Sequence, residues 1–302
     1  MINKVYIDSP KGRVELKEAV VDITVPGLSR DYTFVHLTDV HFMCAVEDDT
    51  PEAKELAAAR EWFWAIQTGV FGDGIDSKET RILPPESCEL VKERILQIAP
   101  DAVLFTGDTV DYPSRSNFRR AKAYLDSLGC PCIIVPGNHD TVSEDADVGT
   151  KEAFAELMGG VKPFFSERIG EVQIIGFDDF VENKVTISDG ACDFLEEALK
   201  EEAPARFLLL HAPVFSESAK VKVWPMWGYN WMLGEESQPE PCRRFRDIVT
   251  RERDRITALL AGHVHTTAGD EDCPCLEGEF TQYISAPAMG CNLRVLRLHG
   301  QN

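Results

Sequence analysis

Short apolar runs recur along this chain, each ending in a polar break, and helical patterns fill most of the intervals between them. The runs cover residues 33–38, 102–106, 132–135, 172–177, 206–210, 257–261, 283–286 and 293–298. They are largely aliphatic or aromatic with little alternation, which predicts strands covered on both faces. Residues 13–25 alternate more loosely. Residues 5–8 precede them across Pro10-Lys11-Gly12, so the pair reads as an edge hairpin.

Helical periodicity is predicted over 51–68, 85–98, 114–128, 151–158, 189–201 and 242–253. Pro85 suits a first helical turn, Ser114 and Asp189 suit N-caps, and Gly129 suits a left-handed stop. Strand–helix alternation over most of the chain predicts an α/β class with substantial parallel pairing. Two stretches interrupt it, at about 42–84 and 214–241. They hold all five tryptophans: Trp62, Trp64, Trp224, Trp227 and Trp231. No repeat or linker divides the chain, which predicts a single domain over 1–302 carrying two insertions.

With 302 residues, the chain can bury a sizeable core without disulfides. Its hydrophobic fraction of 44% and charged fraction of 27% are ordinary for a globular protein and argue against disorder. The net charge of -20 changes the picture more, because such a surface repels polyanions and anionic lipid. Long nucleic acids and membranes are therefore not expected partners. No apolar stretch is long enough to span a bilayer, and residues 1–16 lack the basic head and apolar run of a secretory signal. The nine cysteines are odd in number and fit no secreted framework, so they read as mainly reduced thiols of a cytoplasmic protein. The Cys-Pro-Cys pairs 130/132 and 273/275 read as buried or loop thiols, with a redox pair or accessory metal site as the alternative; Cys44, three residues past His41, reads as a packing thiol, with an approach to the site as the alternative.

Chemistry concentrates at the ends of the apolar runs. Five of the seven histidines fall there, in Asp39-x-His41, Gly137-Asn138-His139-Asp140, His211 and Gly262-His263-Val264-His265; Gly107-Asp108 ends another run. Imidazoles and carboxylates gathered at strand ends are what a two-metal hydrolytic centre requires. In extended chain, residues i and i+2 point the same way, so Asp39 with His41 could address one ion. Asp108, after a strand and a flexible glycine, is the natural bridge, and Asn138 adds a neutral oxygen. Two divalent ions against Asp39 and Asp108 leave a cationic centre that attracts a phosphate ester and lowers the pKa of a bridging water. His36 and His299 belong to no motif and read as structural.

The ordered set DxH, GDxxD, GNHD, H and GHxH resembles the calcineurin-like metallophosphoesterases. The motifs run from residue 39 to 265, and with flanking strands the resemblance covers nearly the whole chain. It implies a four-layer α-β-β-α sandwich of two mixed sheets flanked by helices. It also implies one metal on Asp39, His41, Asp108 and His265 and a second on Asp108, Asn138, His211 and His263. His139 would be a general acid rather than a ligand, with Asp140 orienting its ring. Three departures matter. Tyr112 stands where the family's phosphoprotein phosphatases carry arginine, and GNHD replaces their GNHE. Asp111 stands where the purple acid phosphatases carry a tyrosine ligand.

The expected function is a metal-dependent phosphoesterase in which metal-bound hydroxide attacks and His139 protonates the leaving group. The substrate is a small soluble phosphate ester, with a phosphodiester or cyclic nucleotide favoured over a monoester. The ions are Mn, Fe or Zn, which these ligands do not distinguish. Rival readings are a phosphomonoesterase or phosphoprotein phosphatase, or a non-catalytic scaffold of the same fold. The tryptophan-rich insertions serve either as a lid or wall against a flat substrate group, or as packing against each other or a second subunit.

Overall fold

The computed structural model describes residues 1–43, 50–141, 151–158, 162–181, 183–227, 231–266 and 278–301. Its strands are β1 Ile2–Ser9, β2 Gly12–Pro26, β3 Tyr32–Leu37, β4 Ala102–Thr106, β5 Cys132–Val135, β6 Phe164–Ile169 and β7 Val172–Phe177. They continue as β8 Phe180–Val181, β9 Lys184–Val185, β10 Ala205–Leu209, β11 Ala258–Ala261, β12 Gln282–Ile284 and β13 Asn292–Gln301. The helices are α1 Pro51–Thr68, α2 Pro84–Ile98, α3 Arg115–Asp126, α4 Asn138–Thr141 and α5 Lys151–Met158. After these come α6 Asp189–Ala198, α7 Glu217–Trp227 and α8 Glu240–Arg251.

Two sheets form, in the orders β1-β2-β13-β3-β4-β5 and β12-β11-β10-β7-β6. The first is parallel across β2–β13 and β3–β4–β5 and antiparallel at β1–β2 and β13–β3. The second is parallel from β12 to β7, with β6 antiparallel at its edge. Alternate residues of each strand serve different layers. In β4, Leu104 joins Phe34, Ile174, Phe207 and Leu260 between the sheets, while Val103 and Phe105 meet Val91 of α2 and Phe118 of α3 on the outer face. In the second sheet, Leu208 and Leu259 face Leu195 of α6 and Phe245 of α8. A sheet buried on both faces needs continuous apolar strands, which is why the runs did not alternate. The result is the expected four-layer sandwich of two mixed sheets.

Differences from expectation have local causes. The strand β6 was not anticipated, because Ser166-Glu167-Arg168 place polar groups on an exposed edge. Helix α7 was not anticipated either: Pro225 lies inside it, which argues against a helix when only sequence is read. Ser188, not Asp189, caps α6 by accepting from the Ala191 N–H. The N-terminal pair is a hairpin, but only β1 lies at the edge; β2 pairs along its length with β13. Cys130 and Cys132 are free thiols, while Cys44, Cys273 and Cys275 lie outside the described residues.

Candidate metal centre

The loops leaving β3, β4, β5, β10 and β11 meet where the parallel strands of both sheets end. In open α/β sheets this carboxyl edge is where loops are free to build a site. Backbone bonds lace the loops together. Asp39 N–H donates to Gly107 O and His41 N–H to Asp108 O, each at 3.0 Å, and Gly262 N–H donates to His211 O at 3.0 Å.

Close approach sets the glycines. A Cβ on Gly262 would lie 1.7 Å from Thr38 Oγ1 and 2.5 Å from Asp39 Oδ2. One on Gly137 would lie 2.2 Å from Asp108 Oδ1. The residues expected to act are themselves bent into left-handed backbone: Asp39 at φ 52°, His41 at 48°, Asp108 at 53°, His263 at 67° and His265 at 43°. This corrects the extended-chain argument for the i, i+2 pairs. Non-glycine residues there cost about 1–2 kcal/mol each, a strain that the surrounding structure must hold.

The structure brings together all of the expected side chains for which it gives contacts. Asp39, His41, Asp108 and His265 form one cluster, with ligand-type atoms within 4.8 Å of one another; Asp108, His211 and His263 form a second. Asp108 Oδ2 belongs to both, 3.5 Å from His41 Nε2 and 3.1 Å from His211 Nε2. His265 Nε2 lies 3.0 Å from Asp39 Oδ1 and 3.2 Å from His41 Nε2. His263 Nδ1 lies 3.2 Å from His211 Nε2. His263 and His265 therefore serve different clusters, although they stand two residues apart. His36 is buried between Thr106 and Ser285, and His299 pairs with Asp22 and Asp31 at the surface.

The donor chemistry fits cations. His211 Nδ1–H donates to Thr106 O at 2.6 Å, which leaves Nε2 facing Asp108. Asn138 Oδ1 and His263 Nε2 are buried with no hydrogen-bond partner among the described residues. A buried polar atom without a partner is costly, and a cation would satisfy the Asn138 oxygen, which can only accept. Burial opposes ionisation of Asp108, yet His211, His139 and His41 hold its carboxyl below the usual carboxylate range. Burial likewise opposes charge on His41 and His211, but the carboxylates outweigh it and raise both to about 10. His263, buried and beside His211, is pushed down to about 3. Protons on His41 and His211 thus balance the carboxylates, and a cation must displace them, making its affinity pH-dependent.

His139 sits beside the first cluster, its ring centroid 4.7 Å from that of His41. Its backbone N–H donates to Asp108 Oδ1 at 2.9 Å and its ring Nδ1–H to the Asp111 carbonyl at 2.7 Å. Asp140 does not take the orienting role given to it. Its two oxygens accept the Val110 and Gly137 N–H groups at 3.0 and 2.8 Å, pinning the loop instead. Burial and the nearby Asp108 charge push its carboxyl up to about 7.

Sequence reasoning missed two carboxylates. Asp111 Oδ1 accepts from His41 Nδ1–H at 3.1 Å and Trp64 Nε1–H at 2.6 Å, and Oδ2 accepts from Arg60 Nε–H at 2.5 Å. It orients His41 and ties α1 to the centre. Its place in GDxxD was the available signal. Asp179 accepts the N–H groups of His211 and Ala212, fixing that loop. Trp64 lies 4.8 Å from His41 and 5.1 Å from His265, and Trp231 lies 4.9 Å from His263, ring centre to ring centre. Each tryptophan-rich segment thus presents a ring to one cluster.

The sequence matches the calcineurin-like phosphoesterase family over residues 32–267. The chain belongs to that family. In the metallophosphoesterase fold, it is similar to a dimetal phosphatase from Danio rerio, at 13% identity and TM-score 0.51, over 86% of this chain and 88% of that one. Two curated relatives align over 56% of the chain. One, named "Probable cyclic nucleotide phosphodiesterase", is from a Synechococcus strain and is 26% identical; the other, named "Probable glycerophosphodiester phosphodiesterase GpdQ", is from Arcobacter nitrofigilis and is 27% identical. The alignments span 59% and 58% of those relatives' lengths.

Proposed function

We propose that this metallophosphoesterase is a cytoplasmic hydrolase of small phosphodiesters that works with two cations. Asp39, His41, Asp108 and His265 would hold one, and Asp108, Asn138, His211 and His263 the other. The observation that carries the reading is Asp108 Oδ2, within 3.5 Å of His41 and 3.1 Å of His211, one oxygen common to both clusters. Bound at such a pair of sites, cations supply a nucleophile near neutral pH and offset charge on the phosphoryl oxygens. The names of the two curated relatives support the diester over the monoester.

His139 is the proton donor in this reading. With Nδ1–H committed to the Asp111 carbonyl, Nε2 is the nitrogen left to carry a proton to the leaving oxygen. Burial lowers its pKa, and the Asp108 charge works against that. No helix among the described residues is long and apolar enough to cross a membrane.

The test is hydrolysis of bis-p-nitrophenyl phosphate against p-nitrophenyl phosphate with added Mn²⁺, with metal analysis of the same sample. Faster turnover of the diester is expected. No turnover of either by metal-loaded protein would leave the scaffold reading in its place, and preference for the monoester would overturn the substrate assignment.

A further inference from the structure

A groove of ≈ 550 Å³ opens directly beside His265. It runs from the metal cluster between α1 and the 3-10 turn Ala288–Gly290, and ends against β2. That volume lies within the range of small-ligand pockets, about 300–1,000 Å³, and far exceeds what a phosphate group needs. Trp64 and Phe71 give it flat aromatic wall, while Gln67, Glu15 and Lys17 give it polar edges.

The wall is held in place. Trp64 is anchored through Nε1 to Asp111 and by ring contacts to His41 and His265, so it presents a fixed surface. Phe71 is backed by the Arg81 guanidinium, 4.7 Å from its ring centre. The Lys17 backbone is tied into the sheet, its N–H donating to Cys291 O at 2.9 Å, while its ammonium lies near the Glu15 charge and offers three donors to the groove. Glu15 already pairs with Lys4 at 3.0 Å and accepts from Tyr6 at 3.1 Å. The groove therefore carries one charge of each sign. That suits a neutral group with hydrogen-bonding edges better than an anionic one, and the rings suit a planar group.

We propose that this groove is the subsite for the non-leaving ester arm of the substrate, and that it takes a planar, hydrogen-bonding heterocycle of the nucleoside class. Trp64 stacks on the ring, and Lys17 and Gln67 meet its polar edge. The proposal rests on the phosphodiester reading above, and it assigns a role to β2 and α1 that the metal cluster does not require.

The experiment compares three esters with the same p-nitrophenol leaving group and different retained arms: thymidine 5′, glyceryl and methyl. Metal-loaded wild type and the variants Lys17→Ala and Gln67→Ala are assayed. Lys17→Ala is expected to lower the thymidine-to-methyl ratio of kcat/KM by about tenfold, the worth of a lost hydrogen bond to a charged group, and Gln67→Ala by about 2–10-fold, the worth of a neutral one; both should leave the glyceryl-to-methyl ratio alone. An unchanged thymidine ratio, or equal loss for glyceryl, overturns the proposal while hydrolysis itself still stands. A second arm does not depend on turnover. Thymidine binding to the same proteins, followed by tryptophan fluorescence, is expected to weaken about tenfold in Lys17→Ala. If no ester is hydrolysed, the phosphodiester reading fails, and this binding difference alone decides the groove; equal affinity in both proteins overturns it.

Discussion

Replacing Asp111 by asparagine keeps the shape of the side chain and removes its charge, so it isolates what that charge does. The carboxylate takes three donors: His41 at 3.1 Å, Trp64 at 2.6 Å and Arg60 at 2.5 Å. An asparagine has only one acceptor oxygen. Placed at the Oδ1 position, it keeps the His41 and Trp64 bonds, but as weaker neutral ones, and turns an N–H toward Arg60 Nε. A lost hydrogen bond to a charged group costs about 1.5–3 kcal/mol. Arg60 is 33% exposed, so solvent screening reduces this to about 1–2 kcal/mol. For a chain of 302 residues that is a fall in Tm of about 1.5–3 °C. The effect on metal should be larger, because His41 loses the partner that orients its ring. Such partners are typically worth about 10–100-fold in metal affinity. Asp111 contacts His41 and not His211, so the first cluster should suffer and the second should not. Competition with a chelator, titrated against Mn²⁺ or Zn²⁺, reads the two affinities separately, and calorimetry reads Tm. Lowered Tm with both affinities intact would reduce Asp111 to a strut for α1. Equal weakening of both sites would refute the assignment of its effect to His41.

The remaining predictions use other parts of the site. His139→Ala should lower kcat by about 10²–10⁴-fold with metal content unchanged, and by less for esters whose leaving group needs no proton; loss of metal instead would make His139 a ligand. Gly262→Ala must displace Thr38 or Asp39, given a Cβ at 1.7 Å from Thr38 Oγ1 and 2.5 Å from Asp39 Oδ2. Elemental analysis should then show metal depletion, and full occupancy would show that the loop has room to move. His36 is buried and its pKa is pushed down to about 3 by burial and by Arg294. A histidine with a pKa below its unfolded value of about 6.5 stabilises fully above that pH, and this is lost as pH falls toward 3. The expected slope near pH 5 is about 1.4 kcal/mol per pH unit, and His36→Gln should remove it from urea unfolding curves; an unchanged slope would show that His36 does not titrate on unfolding.

Much of the fold was legible because its signals are local. Strands β4, β5 and β7 and helix α1 occupy the residues that the sequence pattern indicated; β4 and β7 are buried at every position, and a strand buried on both faces has to be apolar nearly throughout. Elements with weaker local signals, the polar edge β6 and the proline-containing α7, were legible only in three dimensions. The candidate ligands were legible by type and order, because metal chemistry restricts which side chains serve.

How they are divided was a tertiary matter. That Asp108 reaches both clusters, and that neighbouring His263 and His265 part company, depends on left-handed backbone at the strand ends and on bonds between loops from different sheets. Asp111 and Asp140 look alike in sequence, each an aspartate closing a short polar motif. Only the folded chain decides that Asp111 meets His41 while Asp140 meets backbone N–H groups, because a carboxylate's role is set by the donors that packing carries to it.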